Sequence, residues 1–175
     1  MNVDAAGTRR TGKSTGGVDH NGFIRPLPAS RMFFEERREV PATPEKLRAE
    51  YAVDLAAAVE SVGVETAVER SGLDRSTVEA VAREDESPIS GLGLREAARL
   101  QALAEGAPDA DSIVEIACDN LLLGMSMGVL DVDTLARELA LERTPKELQQ
   151  KLERRAPMTF EEYVAIEHVV AGRRG

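Results

Sequence analysis

The chain repeats itself. Shifted by 65 positions, AEYAVDLAAAVESVGV (49–64) falls on VEIACDNLLLGMSMGV (114–129), with Glu50, Ala52, Asp54, Ser61, Gly63 and Val64 on Glu115, Ala117, Asp119, Ser126, Gly128 and Val129. Six identities compare with roughly one expected at ordinary composition. With small insertions the register continues. TAVERSGL (66–73) lies on TLARELAL (134–141), and LREAARLQALAEG (94–106) on FEEYVAIEHVVAG (160–172). Each copy of such a repeat is one supersecondary unit that needs a neighbour for its apolar face, so the repeat constrains the architecture before any residue-level detail.

The units read as helical. Thr43-Pro44 supplies an N-cap and a proline at the first helical position, opening a helix to about Ser61. A short helix over 65–70 ends at Ser71-Gly72, Asp74 caps another over 75–85 stopped by Ser87-Pro88, and a fourth over 94–104 ends before Gly106. The second copy follows the same plan. Asp109 caps 110–127, Asp131 caps 132–140, Thr144 to Glu147 is a capping box opening 145–155, and Thr159 to Glu162 is another opening 160–171. With 42% apolar residues but only four Phe, two Tyr and no Trp, the core must be built of small aliphatic side chains, which suits close-packed helices. The expected fold is all-α: two tandem, divergent four-helix units over 41–106 and 107–175, packed as one pseudo-symmetric bundle. In the fifth helix, Ser112, Glu115, Asp119 and Ser126 trace one narrow polar stripe, interrupted by Leu122. A helix apolar over most of its circumference is buried on several sides, so its expected place is between the halves or in a dimer interface.

Residues 1–40 differ. They are rich in Gly, Ser, Thr and Arg, show no apolar period, and are expected to be a disordered N-terminal segment. Met32, followed by FFEERREV, is a second candidate for the translation start. Gly7-Thr8-Arg9-Arg10-Thr11-Gly12-Lys13-Ser14 satisfies the phosphate-loop pattern, yet such a loop works only between a buried strand and a helix N-terminus, and neither flank forms one.

The second and third helices carry the strongest local motif, SGLDRSTVEAVARED (71–85) within TAVERSGLDRSTVEAVARED (66–85). Gly72 makes a turn, Leu73 plugs the angle between helices, and Val78 and Val81 lie on the inner face of the helix that Asp74 caps. The segment resembles the helix-turn-helix of phage-repressor-like regulators. The resemblance implies that the first turn of the second helix meets the major groove, which here means Arg75, Ser76 and Thr77, with Glu79 and Arg83 on the same face. The second copy departs from the pattern, with Ala140 in place of the turn glycine and two extra residues before the cap. Its helix is better dressed for phosphates and base edges, through Arg143, Lys146, Gln149, Gln150, Lys151, Arg154 and Arg155. From near Met32 on, and above all in DNLLLGMSMGVLDVDTLA and PKELQQKLERRAPMTFEEY, the chain is similar to an uncharacterised family of small acidic proteins from halophilic archaea. That resemblance implies no activity.

Net charge is −9, and only four of the 22 basic residues are Lys. An acidic, Lys-poor surface fits a protein kept soluble at high salt, and equally an acidic protein from a GC-rich genome. At about 1 M salt the Debye length is near 3 Å, so the charge would repel DNA little over distance; in dilute buffer it argues against nucleic-acid binding. Enzymatic signals are thin. His20 and His168 are far apart and, with the single Cys118, make no zinc site. Asp109, Asp111, Asp131 and Asp133 sit at helix starts, where capping explains them. The lone cysteine excludes an intrachain disulfide, and no apolar run approaches a membrane span. The expectation is a cytoplasmic, non-enzymatic helical protein with no cofactor, no membrane role and no evident small-molecule ligand. It would act as a protein-interaction or scaffold module, through a partner or self-association. The alternative is a DNA-binding regulator using the 145–155 helix, with an enzyme of unknown type a distant third.

Overall fold

A computed structural model describes residues 32–37, 39–139 and 142–173. They form nine helices: α1 (Pro44–Val62), α2 (Val64–Ser71), α3 (Arg75–Ala82), α4 (Glu86–Ser90), α5 (Leu94–Gln101), α6 (Ala110–Met127), α7 (Val132–Glu138), α8 (Pro145–Leu152) and α9 (Phe160–Gly172). The fold is all-helical, and no strand occurs among the described residues.

The starts of these helices follow the capping chemistry legible in the sequence. Thr43 Oγ1 accepts from the Lys46 N–H at 3.3 Å, Asp109 Oδ1 from Ser112 at 3.0 Å and Asp131 Oδ1 from Thr134 at 2.7 Å. Thr144 with Glu147, and Thr159 with Glu162, close complete capping boxes. Asp74 occupies the N-cap of α3 without such a side-chain bond. The ends come earlier than expected: α3 stops at Ala82, α5 at Gln101 and α8 at Leu152. Beyond α3 and α8, Glu84 and Arg154 adopt φ of 59° and 62°, turning the chain out of the helix two residues after its last turn. α4 is an addition to the eight expected helices. Ser87-Pro88 does not merely stop α3: Pro88 sits in the first turn of α4, where a missing N–H costs nothing.

α2 is capped by Gly72 in the left-handed region (φ 68°), and α2 packs on α3, with Leu73 buried and Val78 and Val81 fully so. Around this pair, α1 packs against α3, α5 and α9, while α6 packs against α8, α9 and α5. α5 and α9 meet at their starts through a reciprocal pair of backbone bonds: the Leu94 N–H donates to the Met158 carbonyl (2.9 Å) and the Phe160 N–H to the Leu92 carbonyl (2.8 Å).

The core is aliphatic except at its centre. There Phe33 stands edge-on to Tyr51, Phe160 and Tyr163, with ring centroids 5.5–6.1 Å apart. The Tyr163 hydroxyl donates to the Phe33 carbonyl at 2.5 Å. Arg37, also buried, lies over the Tyr51 ring and donates to the Tyr51 hydroxyl and to Glu50. Most of the segment expected to lack order, including the phosphate-loop match at 7–14 and His20, lies outside the described residues. From Met32 on, however, that segment contributes the fully buried Phe33 to the core, a correction to the boundary at residue 40.

α6 is not enclosed. One side lies on α5, α8 and α9, burying Ile113, Ala117, Cys118, Leu121 and Met125. The other faces solvent, contrary to a helix sandwiched between two halves. Its polar stripe is only part of that face, and the apolar residues beside it are exposed as well.

Candidate interaction surface

The residues expected to meet nucleic acid are mostly spent on neighbours. Arg75 pairs with Glu65 at 2.5 Å and reaches Glu79 at 3.6 Å, and Arg83 pairs with Asp85 at 3.1 Å. The Arg75 guanidinium holds the exposed Glu65 carboxyl below its ordinary range. Ser76 is exposed and Thr77 half-buried.

In and around α8, Arg143, Lys151 and Arg154 pair with carboxylates of α9 and α6. Lys151 Nζ lies 2.6 Å from Glu162 Oε2, and Arg143 Nε lies 3.0 Å from Glu162 Oε1. Glu162 is the buried N3 residue of the α9 capping box, so its carboxylate also accepts from the Thr159 N–H at 2.9 Å. Burial by itself would raise the Glu162 pKa; Lys151, the Thr159 amide and Arg143 outweigh it and hold the carboxyl below its usual value. Arg154 crosses to α6, 2.8 Å from Asp119 and 3.7 Å from Glu115. Gln149 donates to Glu153 at 2.8 Å, Gln150 is half-buried, and Lys146 is exposed with no ion-pair partner among the described residues. α8 is thus pinned to α9 and α6 by its cations, an arrangement invisible in a one-dimensional list of basic residues. The capping-box reading had located Glu162 but gave no sign that it gathers two cations.

Two other polar places stand out. A cleft of about 550 Å³ opens between the starts of α1 and α9, lined by Arg48, Arg143, Glu45, Glu142, Glu161 and Glu162 among others. Its two arginines already bind carboxylates there, Arg48 to Glu161 at 3.2 Å and Arg143 to Glu162. Deeper, the Tyr51 hydroxyl donates to Glu167 at 2.5 Å. Burial, then the Glu167 carboxylate, pushes Tyr51 far above an ordinary phenol, and burial does the same to Tyr163. These groups close on one another and leave no reactive group open. Burial likewise raises the Cys118 thiol to about 11, so it stays protonated and unreactive near neutrality. His168 Nε2 lies 2.9 Å from the Pro41 carbonyl, a boundary position. Among the described residues, no group of three or more His, Cys, Asp or Glu side chains is placed to hold a metal.

Residues 47–173 match a protein family whose description is a family of unknown function, DUF5791. The chain belongs to that family. No curated protein and no solved structure matches it.

The matched span contains the remaining feature, the outward face of α6. Ile116, Leu123 and Met127 fall within about 40° of one another at 100° per residue. They are 38%, 52% and 62% exposed, and Val129, 92% exposed, follows just past the helix end. Val129 holds φ of 50°, a left-handed conformation that a β-branched residue rarely adopts. The turn is closed by the Leu130 N–H donating to the Met125 carbonyl at 2.8 Å. Glu115 and Asp119, tied to Arg154, border this surface. Among the described residues no single helix is long and apolar enough to cross a membrane; only α6 and α7 together carry enough, and they are bent by 100° at their junction.

Proposed function

We propose that the protein is a non-enzymatic helical interaction module whose docking surface is the outward face of α6. The supporting argument is an internal comparison. The chain is read as two fused, quasi-equivalent units in which α1, α2, α3 and α5 correspond to α6, α7, α8 and α9. Exchanging the sets turns the α1 contacts with α3, α5 and α9 into the α6 contacts with α8, α9 and α5. It also exchanges the two backbone bonds joining Leu92–Leu94 to Met158–Phe160. α1·α2 has no α6·α7 counterpart, so the second unit is the looser copy.

The register that fits the burial is 66, not the 65 suggested by the identities. At 66, buried Leu47, Tyr51, Ala52, Leu55, Ala58 and Val59 meet buried Ile113, Ala117, Cys118, Leu121, Gly124 and Met125. The N-caps Thr43 and Asp109 coincide, as do the positive-φ residues Gly63 and Val129. A shift of one residue turns a helix by about 100°, so identities in the 65 register align letters without aligning faces.

In the fitted register, Ile116, Leu123, Met127 and Val129 stand where the first unit has Glu50, Ala57, Ser61 and Gly63, all exposed. The fold therefore tolerates polar or small residues at these places, and their apolarity in α6 answers to something outside the bundle. A contiguous patch of this kind on a soluble chain marks an association site. This single contrast carries the reading. The acidic, Lys-poor composition fits high salt, where such apolar contact outlasts screened charges.

The DNA-binding alternative keeps the helix-turn-helix shape of residues 66–85 in its favour. The ion pairs of Arg75, Arg83, Arg143, Lys151 and Arg154 weigh against it, because the carboxylate beside each cation offsets the charge a phosphate would meet. The two readings separate in one experiment. Affinity capture from the source cell should return a stoichiometric partner with the natural chain and with Ala57→Glu/Ser61→Glu, and lose it with Leu123→Glu/Met127→Glu. Equal capture by all three sinks the docking reading. A mobility shift of genomic fragments in molar potassium chloride, abolished by Lys146→Glu, would replace it with DNA binding.

A further inference from the structure

We infer that the outward face of α6 is the interface of a homodimer. This rests on the docking reading above and names the partner: a second copy of this chain, laid antiparallel across a two-fold axis. The stripe on α6 is self-complementary. Ile116, Asn120, Leu123 and Met127 follow one another at intervals of four, three and four residues, which makes a single seam along the helix. That spacing reads the same in either direction. In an antiparallel pair Ile116 lies level with the partner's Met127, and Asn120 with the partner's Leu123. One register therefore fills every place at once, as an isologous interface requires. Asn120 suits such a seam, because its amide already donates to the Phe34 carbonyl at 2.8 Å. Antiparallel helices also set the positive end of each beside the negative end of the other.

Charge selects a copy over an unlike partner. The chain carries −9, yet none of the four seam positions is charged. The carboxylates on the flank, Asp119 and Glu115, are bound to Arg154 at 2.8 and 3.7 Å. A basic partner would find no open acid there, whereas a second neutral stripe needs none. Repulsion between the two acidic bodies is screened at about 1 M salt, where the Debye length is near 3 Å.

Area sets the strength of the contact. The exposed parts of Ile116, Leu123, Met127 and Val129 offer about 400 Å² of apolar surface. With the flanking Ser112, Asp119 and Ser126, each side approaches the roughly 600 Å² at the low end of specific interfaces, so the dimer is reversible. On α1 the matching places are Glu50, Ala57, Ser61 and Gly63. The apolar stripe thus occurs once among the described residues, and pairing closes at two copies without growing into a filament.

Sedimentation equilibrium of the full chain in molar potassium chloride should show monomer and dimer in exchange. Leu123→Glu/Met127→Glu should weaken the dimer at least a hundredfold, and Ala57→Glu/Ser61→Glu less than threefold. Transfer to dilute buffer should weaken the natural dimer at least tenfold; a dimer that loosens as salt rises would be held by ion pairs and overturns the inference. Single cysteines in a Cys118→Ala background read the orientation. In the antiparallel pair the two copies of residue 123 lie about 5 Å apart along the axis, and those of residue 127 about 17 Å apart. Leu123→Cys should therefore cross-link between chains at least tenfold faster than Met127→Cys, although Met127 is the more exposed. Equal or reversed rates overturn the inference, and so does a chain that stays monomeric at every concentration. If such a monomer still loses a captured protein on Leu123→Glu/Met127→Glu, the docking reading stands with a different partner; capture untouched by that change ends both.

Discussion

On α1 the residues turned away from the core include Glu50, Ala57, Glu60 and Ser61, with Val53 the one large apolar side chain among them. On α6 the outward residues include Ile116, Leu123 and Met127. Inward, both helices offer the same kind of surface to the same kind of neighbours. The inner face of a helix answers to packing, and a sequence that fails there loses stability. The outer face is free of that constraint, so its composition records what the helix meets besides its own fold. α1 meets water, and under the proposed reading α6 meets a partner.

The interior gives the sharpest way to break the comparison. Tyr51, which the proposed pairing of the units sets against Ala117, holds Arg37 and Glu167 together across the centre. Tyr51→Ala should cost about 3–5 kcal/mol in denaturant unfolding, and a loss below 1 kcal/mol would mean that the aromatic centre is dispensable. The helix ends come next. Gly63 (φ 81°, ψ 152°) occupies a region essentially reserved for glycine, whereas Val129, its match in the proposed register, endures positive φ. Gly63→Val should destabilise by about 1–3 kcal/mol, and Val129→Gly should raise stability by about 1 kcal/mol. Equal effects at the two sites would refute the assignment of strain to the α6 end.

Acid and base should act on different groups. The folded Glu162 pKa is depressed, so its contribution is present above the unfolded value of about 4.3 and is lost as pH falls through the folded pKa. Tyr51 and Tyr163 are raised, so their contribution holds below about 10 and declines as pH climbs beyond it. Unfolding followed against pH should show Lys151→Met removing part of the acid limb and leaving the alkaline limb unchanged. The smallest effect is at Gln101, whose buried Oε1 has no hydrogen-bond partner among the described residues. Gln101→Met should gain up to about 1 kcal/mol, visible as a higher Tm; a lower one would mean that a bound water satisfies the amide.

Much of the helical plan was legible because caps are local. Thr43-Pro44, Asp109, Asp131 and the two capping boxes act through atoms three residues away, and the structure places each at a helix start. Helix ends were read less well. α3 and α8 end at Ala82 and Leu152, just ahead of Glu84 and Arg154 at positive φ, non-glycine residues whose type does not announce a left-handed turn. Under the proposed register of 66 the identities at 65 align letters and not faces; Gly63 and Gly128 share a name but not a conformation (φ 81° against −82°).

The surface was the least legible part. Arg143, Lys151 and Arg154 look free in a string, and only the approach of α9 and α6 to α8 converts them into struts for Glu162, Asp119 and Glu115. The apolar circumference of α6 was plain from the sequence, yet which side of it would be left in water was not. By itself the sequence determined an all-helical chain, the sites where its helices begin and an acidic surface, because capping, propensity and charge are settled within a few residues. Which cations are spent, which helix face stays open and how the chain near Met32 enters the core depend on elements far apart in sequence. Tertiary packing alone decided those, because burial and ion pairing are properties of neighbours in space.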